Sequence, residues 1–277
     1  MGSLEKHIII SSEDKDKSSS NSNSDFVVNL QERYYTQNIL KVLVSELTVP
    51  NVFPNIRGPD YGSSQNNRIT YDDGTGEKTG ILPEGQYLIG SSNPLLDFTT
   101  QLTNVINATT AATVQVTYNE LTNKFEFACS TPFSFYPNGL TTGSLGPITF
   151  PSTMADALGI TEELFVPGGL VPTPAQSQAD LSGFQNVYVH SKEIALSHAI
   201  DGDTGLISVV SPVSLADTPF GGYAYRQNND DELASIVYDQ VRNLSRISIV
   251  LRDNLGNKLP IGGHKMNIVL KCYLDSG

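Results

Sequence analysis

His190 and Ser191 are adjacent in the chain, and a hydroxyl beside an imidazole is the beginning of a nucleophile and its base. Asp180 or Asp201 would be the carboxylate that orients the ring. No Gly-x-Ser-x-Gly elbow presents the serine, and with 4 histidines among many hydroxyls such an adjacency is expected by chance. His7, His198 and His264 stand at no metal-ligand spacing and have no cysteine partners. Two acidic clusters, Asp201-Gly202-Asp203 and Asn229-Asp230-Asp231-Glu232, carry oxygen ligands of the type calcium takes, but neither has the length or order of an EF-hand loop. Loop acids of this kind read as solvated turns. A carboxylate pair for glycosidic cleavage cannot be assigned, and the absence of Trp counts against a groove that stacks sugars, although Tyr and Phe can stand in. Gly85, Gly90, Gly139, Gly143 and Gly146 make no phosphate-binding fingerprint. These residues predict no catalytic centre, no cofactor and no metal, and so a protein that works by shape and contact.

Composition points the same way. The 277 residues suffice for one large β core or two smaller ones. Charged residues make up 17%, below the quarter or so of an ordinary domain, and Ser, Thr, Asn, Gln and Gly fill the difference. A polar, weakly charged skin suits a subunit with many neighbours, because buried charges must be paired at a cost of several kcal/mol whereas hydroxyls and amides are cheaper to bury. The net charge of −12 argues against nucleic acid, whose phosphates need Lys and Arg, and no basic block for anionic lipid is present. No run approaches the ~20 apolar residues of a membrane span, and the start of the chain lacks the basic and apolar regions of a signal peptide. Met1-Gly2 is followed at position six by Lys rather than Ser or Thr, so myristoylation is not expected. Cys129 and Cys272 each sit in an apolar run and read as reduced core thiols of a protein made in the cytoplasm, which leaves the sequons at Asn107 and Asn243 without meaning.

The elements that would position any site are mostly strands. Val114-Gln115-Val116-Thr117-Tyr118 and Lys124-Phe125-Glu126-Phe127 alternate at a period of two around an Asn-Glu-Leu-Thr-Asn turn, predicting a hairpin with one buried face. Residues 26–30, 40–49, 68–71, 187–191, 194–196, 206–210, 247–251 and 268–273 also read as strands. Leu95, Phe98, Leu102, Val105 and Ile106 share one helical face, predicting a helix from about Asn93-Pro94. A short helix is expected at 152–159, with Ser152 as N-cap and Gly159 as terminator. From Ser11 to Ser24 no apolar residue occurs, so residues 1–24 are expected to be a flexible arm. Within it, Ile8-Ile9-Ile10 reads either as a docking peptide or as the first strand of the domain. Strand-rich segments before and after an α+β stretch predict a mainly β chain, a β-sandwich interrupted by a smaller α+β insertion domain. The expected divisions are the arm at 1–24, the sandwich at 25–78 and 168–277, and the insertion at 79–167.

Several words of the sequence, in order, resemble the penton, or minor capsid, proteins of virophages and of polinton-like and related giant DNA viruses. They are Leu47-Thr48-Val49-Pro50-Asn51 with Asn55-Ile56, Leu82-Pro83-Glu84-Gly85-Gln86-Tyr87, and Val116-Thr117-Tyr118-Asn119 with Thr122-Asn123-Lys124-Phe125. Leu158-Gly159-Ile160, Val187-Tyr188-Val189-His190-Ser191 and Leu251-Arg252-Asp253-Asn254-Leu255-Gly256 complete the set. The resemblance implies a single jelly roll with an outward insertion domain, in a non-enzymatic homopentamer that closes the icosahedral vertex beside a major capsid protein. It implies a virion location and, through the insertion, a host receptor or glycan as a further partner. A β-sandwich attachment protein is the alternative.

Overall fold

The computed structural model of the chain describes residues 4–15, 22–30, 36–144, 146–194, 199–201, 205–207, 209–228 and 235–275. Its contacts divide the chain into two compact units, one made of Met1–Phe53 with Phe184–Gly277 and the other of Pro54–Gly183.

The discontinuous unit has a small two-stranded sheet, Ala199–Asp201 with Gly205–Ile207, and two large antiparallel sheets, each with one buried face. In the larger, Leu4–Ser11, Asn267–Leu274, Thr36–Pro50 and Tyr223–Gln227 lie side by side in that order, and Ser235–Leu244 also pairs with Thr36–Pro50. In the smaller the order is Val209–Ser214, Asn186–His190, Arg246–Arg252, Asp25–Asn29. Alternation decides which side chains go inside, and the register puts them opposite one another. Ile8 faces Leu270 and Ile10 faces Ile268 in one sheet; Phe26 faces Ile249 and Val28 faces Ile247 in the other; all eight are buried. Arg226 ties the sheets together, its guanidinium donating to Ser211 Oγ at 2.9 Å and to the Pro212 carbonyl. The 15-residue strand Thr36–Pro50 keeps its inward set over such a length because it carries bulges. At one, Glu46 opposes Val269 and Val44 opposes Leu270, so Ser45 is the extra residue. Its hydroxyl donates to the Val269 carbonyl at 3.1 Å, and Asn228 donates its backbone N–H to Ser45 O and its amide to Val44 O, both at 2.8 Å.

The start of the chain corrects an expectation. Leu4–Ser11 is a strand and Ser12–Asp14 a 3-10 turn, so this part of the anticipated arm belongs to the sheet. The gain from burying Ile8 and Ile10 outweighs the polar run that follows them. Residues 16–21 lie outside the described residues.

The continuous unit packs a four-stranded sheet, ordered Leu164–Val166, Phe133–Phe135, Arg68–Asp72, Glu77–Ile81, with a three-stranded one, ordered Thr173–Pro174, Lys124–Cys129, Val114–Asn119. The expected hairpin is present, closed by Asn123 at a positive φ of 55°. Phe127 and Phe135 rings meet at 4.7 Å and Phe98 meets Phe125 at 5.2 Å, so aromatic contacts join the sheets and the helix. The helix is Phe98–Asn107, burying Phe98, Leu102 and Ile106. It lies on the strand Glu77–Ile81 at Gly80, where an added Cβ would come within 2.8 Å of Val105 Cγ1. Arg68–Asp72 pairs with Glu77–Ile81 and with Phe133–Phe135, which draws residues 54–78 into this unit rather than into the sandwich segment expected to contain them. Residues 168–183 follow for a like reason, since Thr173–Pro174 extends the hairpin.

Two helix starts also differ from expectation. The longer helix begins at Phe98 behind an Asp97 N-cap, and Leu95 is exposed instead of packed. The short helix Ala155–Leu158 has Met154 at its N-cap without a side-chain bond, because the Ser152 hydroxyl accepts the Thr70 N–H at 2.8 Å instead. Gly159 ends it in the left-handed region, as expected.

Candidate functional site

His190 ends the strand Asn186–His190 and is only 8% exposed. Its Nδ1 has no hydrogen-bond partner, and burial, aided by the Arg252 charge, lowers its pKa to about 4. Ser191, buried next to it, directs its hydroxyl at Glu193 Oε2 over 3.4 Å. Glu193 is the true centre of this neighbourhood: it accepts the Ser248 N–H at 2.8 Å and the Ser248 hydroxyl, and pairs with Arg246 at 3.7 Å. Asp180 belongs to the other compact unit, where Ser182 supplies its carboxylate with an N–H at 3.0 Å and a hydroxyl at 2.5 Å. Those two bonds hold the Asp180 carboxyl below the usual range. The structure thus brings His190 and Ser191 together as neighbours without coupling them as base and nucleophile. The side chain of Asp201 lies outside the described residues, as do His198, residues 202–203 and residues 229–232.

His7 and His264 are exposed, the latter lending its carbonyl to Asn23 at 2.8 Å. Cys129 and Cys272 are free, buried, and in different units. Burial pushes their thiols up to about 12 and about 11, so neither is a nucleophile at neutral pH. Gly90 and Gly139 hold positive φ in separate turns, and Gly146 holds it at the start of the two-residue strand Gly146–Pro147. Among the described residues no group of three His, Cys, Asp or Glu is placed to hold a metal, and no helix is long and apolar enough to cross a membrane.

What the geometry offers instead is surface. On the larger sheet Ile8, Ile10 and Ala224 point inward, so Ile9, Tyr223 and Tyr225 point out, and all three are well exposed. Further along the same face, beyond the row of Ile9, Lys41 and Lys271 stand 5.0 and 5.1 Å from the Tyr273 ring centre, and Glu5 pairs with Lys271 at 3.2 Å. An array of rings and aliphatic groups whose charges lie against each other or against rings, as Glu5 does with Lys271, Lys41 with Tyr273 and Glu46 with Tyr225, is suited to being covered. The strand Tyr223–Gln227 was not among the expected ones, although Tyr-Ala-Tyr already alternates large with small.

Mainly β, with one buried face per large sheet, the discontinuous unit defines a sandwich-like protein into which an α+β unit is spliced. Among solved structures it is similar in fold to the mavirus penton protein, known from a crystal of its selenomethionine-labelled form. That match covers 99% of each chain with a TM-score of 0.50 and 9% identity, a likeness of fold alone. No family model matches the chain, and no curated protein matches it.

Proposed function

We propose that this chain is a structural capsid protein, the subunit of a homopentamer at the five-fold vertex of an icosahedral virus particle. The observation that carries the reading is that one alignment to a penton protein runs through both compact units, covering 99% of each chain. Strand order supports a jelly roll for the sandwich-like unit. Counting the two pieces on Thr36–Pro50 as one position, and setting aside the hairpin Ala199–Asp201 with Gly205–Ile207, the eight positions of the two large sheets run first, eighth, third, sixth in one and fifth, fourth, seventh, second in the other. The continuous unit is then an insertion domain between the third and fourth strands. A five-fold ring is a head-to-tail interface that closes on itself, and the exposed rings and aliphatic groups of the larger sheet are suited to a contact that excludes water. The implied partners are further copies of the chain and a major capsid protein, and the place of action is the virion after synthesis in host cytoplasm.

Light scattering on the concentrated full chain, with negative-stain imaging, tests this directly. Five-membered rings are expected. A strict monomer at every concentration, together with vertices in purified particles that lack the chain, would overturn it. A second role is compatible with the first, recognition of a host receptor or glycan by the insertion unit, favoured by its separate core.

A further inference from the structure

The loop that leads into the helix Phe98–Asn107 exposes aliphatic side chains: Leu88 is 52% exposed, Ile89 37%, Leu95 75% and Leu96 42%. From Gly85 to Leu96 the sequence contains no charge, and its polar residues there are amides, hydroxyls and a single phenol. Its two ends are fastened together, Leu88 N–H donating to Leu96 O and Phe98 N–H to Leu88 O, both at 2.8 Å. The four side chains therefore crowd one short protrusion.

Most of its backbone is satisfied from within. Gly90 N–H goes to Asp97 Oδ1 at 2.9 Å, Asn93 N–H to Ser91 Oγ at 3.2 Å, and Leu95 N–H to Asn93 Oδ1 at 3.1 Å. Leu96 and Asp97 N–H groups both go to Asn93 O at 3.0 Å, and Gln101 caps the Pro94 carbonyl at 2.8 Å. Asp97, the first charge after the loop, faces back into these bonds and into the helix.

We infer that this loop is a wedge that inserts shallowly into an uncharged lipid surface. Hydrocarbon demands aliphatic side chains and no ions, which the loop offers, and at shallow depth its unbonded N–H groups, among them those of Ser91 and Ser92, stay with the polar headgroups. A protein partner fits less well, since binding hot spots favour Trp, Tyr and Arg over Leu and Ser. A sugar would call for exposed rings, of which the protrusion has none: Tyr87 is buried. Neither a spanning run nor a basic block, the two features whose absence argued against a membrane, is required for such insertion. With a net charge of −12 the chain has every reason to prefer a neutral bilayer to an anionic one. The inference stands independently of the capsid reading, which is tested without lipid.

The test is flotation of the full chain with vesicles of phosphatidylcholine alone. Binding is expected, insensitive to salt, and reduced about tenfold or more in a L95D/L96D double variant, while V171D, at the Cys129 end of the hairpin and away from its turn, leaves it unchanged. Because the chain has no Trp, L95W provides a lone reporter whose emission should shift to the blue and be quenched by brominated lipid. This second readout serves if the double variant misfolds. Failure of the unaltered chain to float, binding confined to anionic vesicles and lost in salt, or an L95W emission unmoved by lipid would each overturn the inference. So would a double variant that loses ring assembly in a lipid-free buffer, since the loop would then be a protein contact.

Discussion

His190 is the residue whose surroundings most change its chemistry. Buried beside the Arg252 charge with an unpartnered Nδ1, it is neutral in the folded chain down to about pH 4. The unfolded imidazole takes its proton near 6.5, so between those values the unfolded state binds more protons and stability must fall as pH falls. The full drop is on the order of 3 kcal/mol from this group. Urea unfolding between pH 7 and 5 should show this slope in the natural chain and not in H190F, and an equal slope in both would assign the effect elsewhere. Sequence reading singled out this residue for its neighbour Ser191, whereas its behaviour comes from what the sheet packs over it. Adjacency in the chain is legible, and burial by a strand some sixty residues away is not.

At the level of elements, the cap of the helix Phe98–Asn107 is the feature most open to measurement. Asp97 accepts from Thr100 N–H at 2.8 Å, from the Thr99 and Thr100 hydroxyls at 2.6 Å each, and from Gly90 N–H. Burial alone would raise its pKa, but those bonds outweigh it and hold the carboxyl below the usual value. A carboxylate so depressed contributes stability that is whole above its unfolded pKa of about 3.9 and is lost as pH falls through the folded value. D97A should cost about 1 to 2 kcal/mol in a denaturant titration at neutral pH, by loss of the cap. D97N should keep most of that stability yet soften the acid limb of the pH profile. The apolar spacing alone placed this helix four or five residues too early, because Leu95 continues the pattern but faces solvent. Strands with strict alternation, such as Arg246–Arg252 and Asn267–Leu274, were found nearly to the residue. Short ones whose partners lie far along the chain, such as Phe133–Phe135, were not. A three-residue strand contains too few alternations to announce itself.

For the whole molecule, an interrupted sandwich was readable from strand language resuming after an α+β stretch. The exact seams were not, since they depend on which partner Arg68–Asp72 selects. Within the discontinuous unit Phe53 and Phe184 rings stand edge to face at 5.8 Å, and within the continuous one a Cβ on Gly183 would sit 3.8 Å from Asn55 Cα. Each unit thus has its own core and closely spaced ends. Residues 54–183 expressed alone should fold, with a cooperative thermal transition by circular dichroism and dispersed amide resonances. A molten or unfolded product would show that the aromatic core around Tyr71, Phe127 and Phe135 needs the rest of the chain.

Paired ends of this kind make the seam a socket. A foreign polypeptide whose own termini lie a ring's width apart meets the geometric condition for replacing the native cassette through two crossovers, one at each end, between Thr36–Pro50 and Asn186–His190. A lineage carrying this chain can renew the cassette wholesale while its scaffold stays the same.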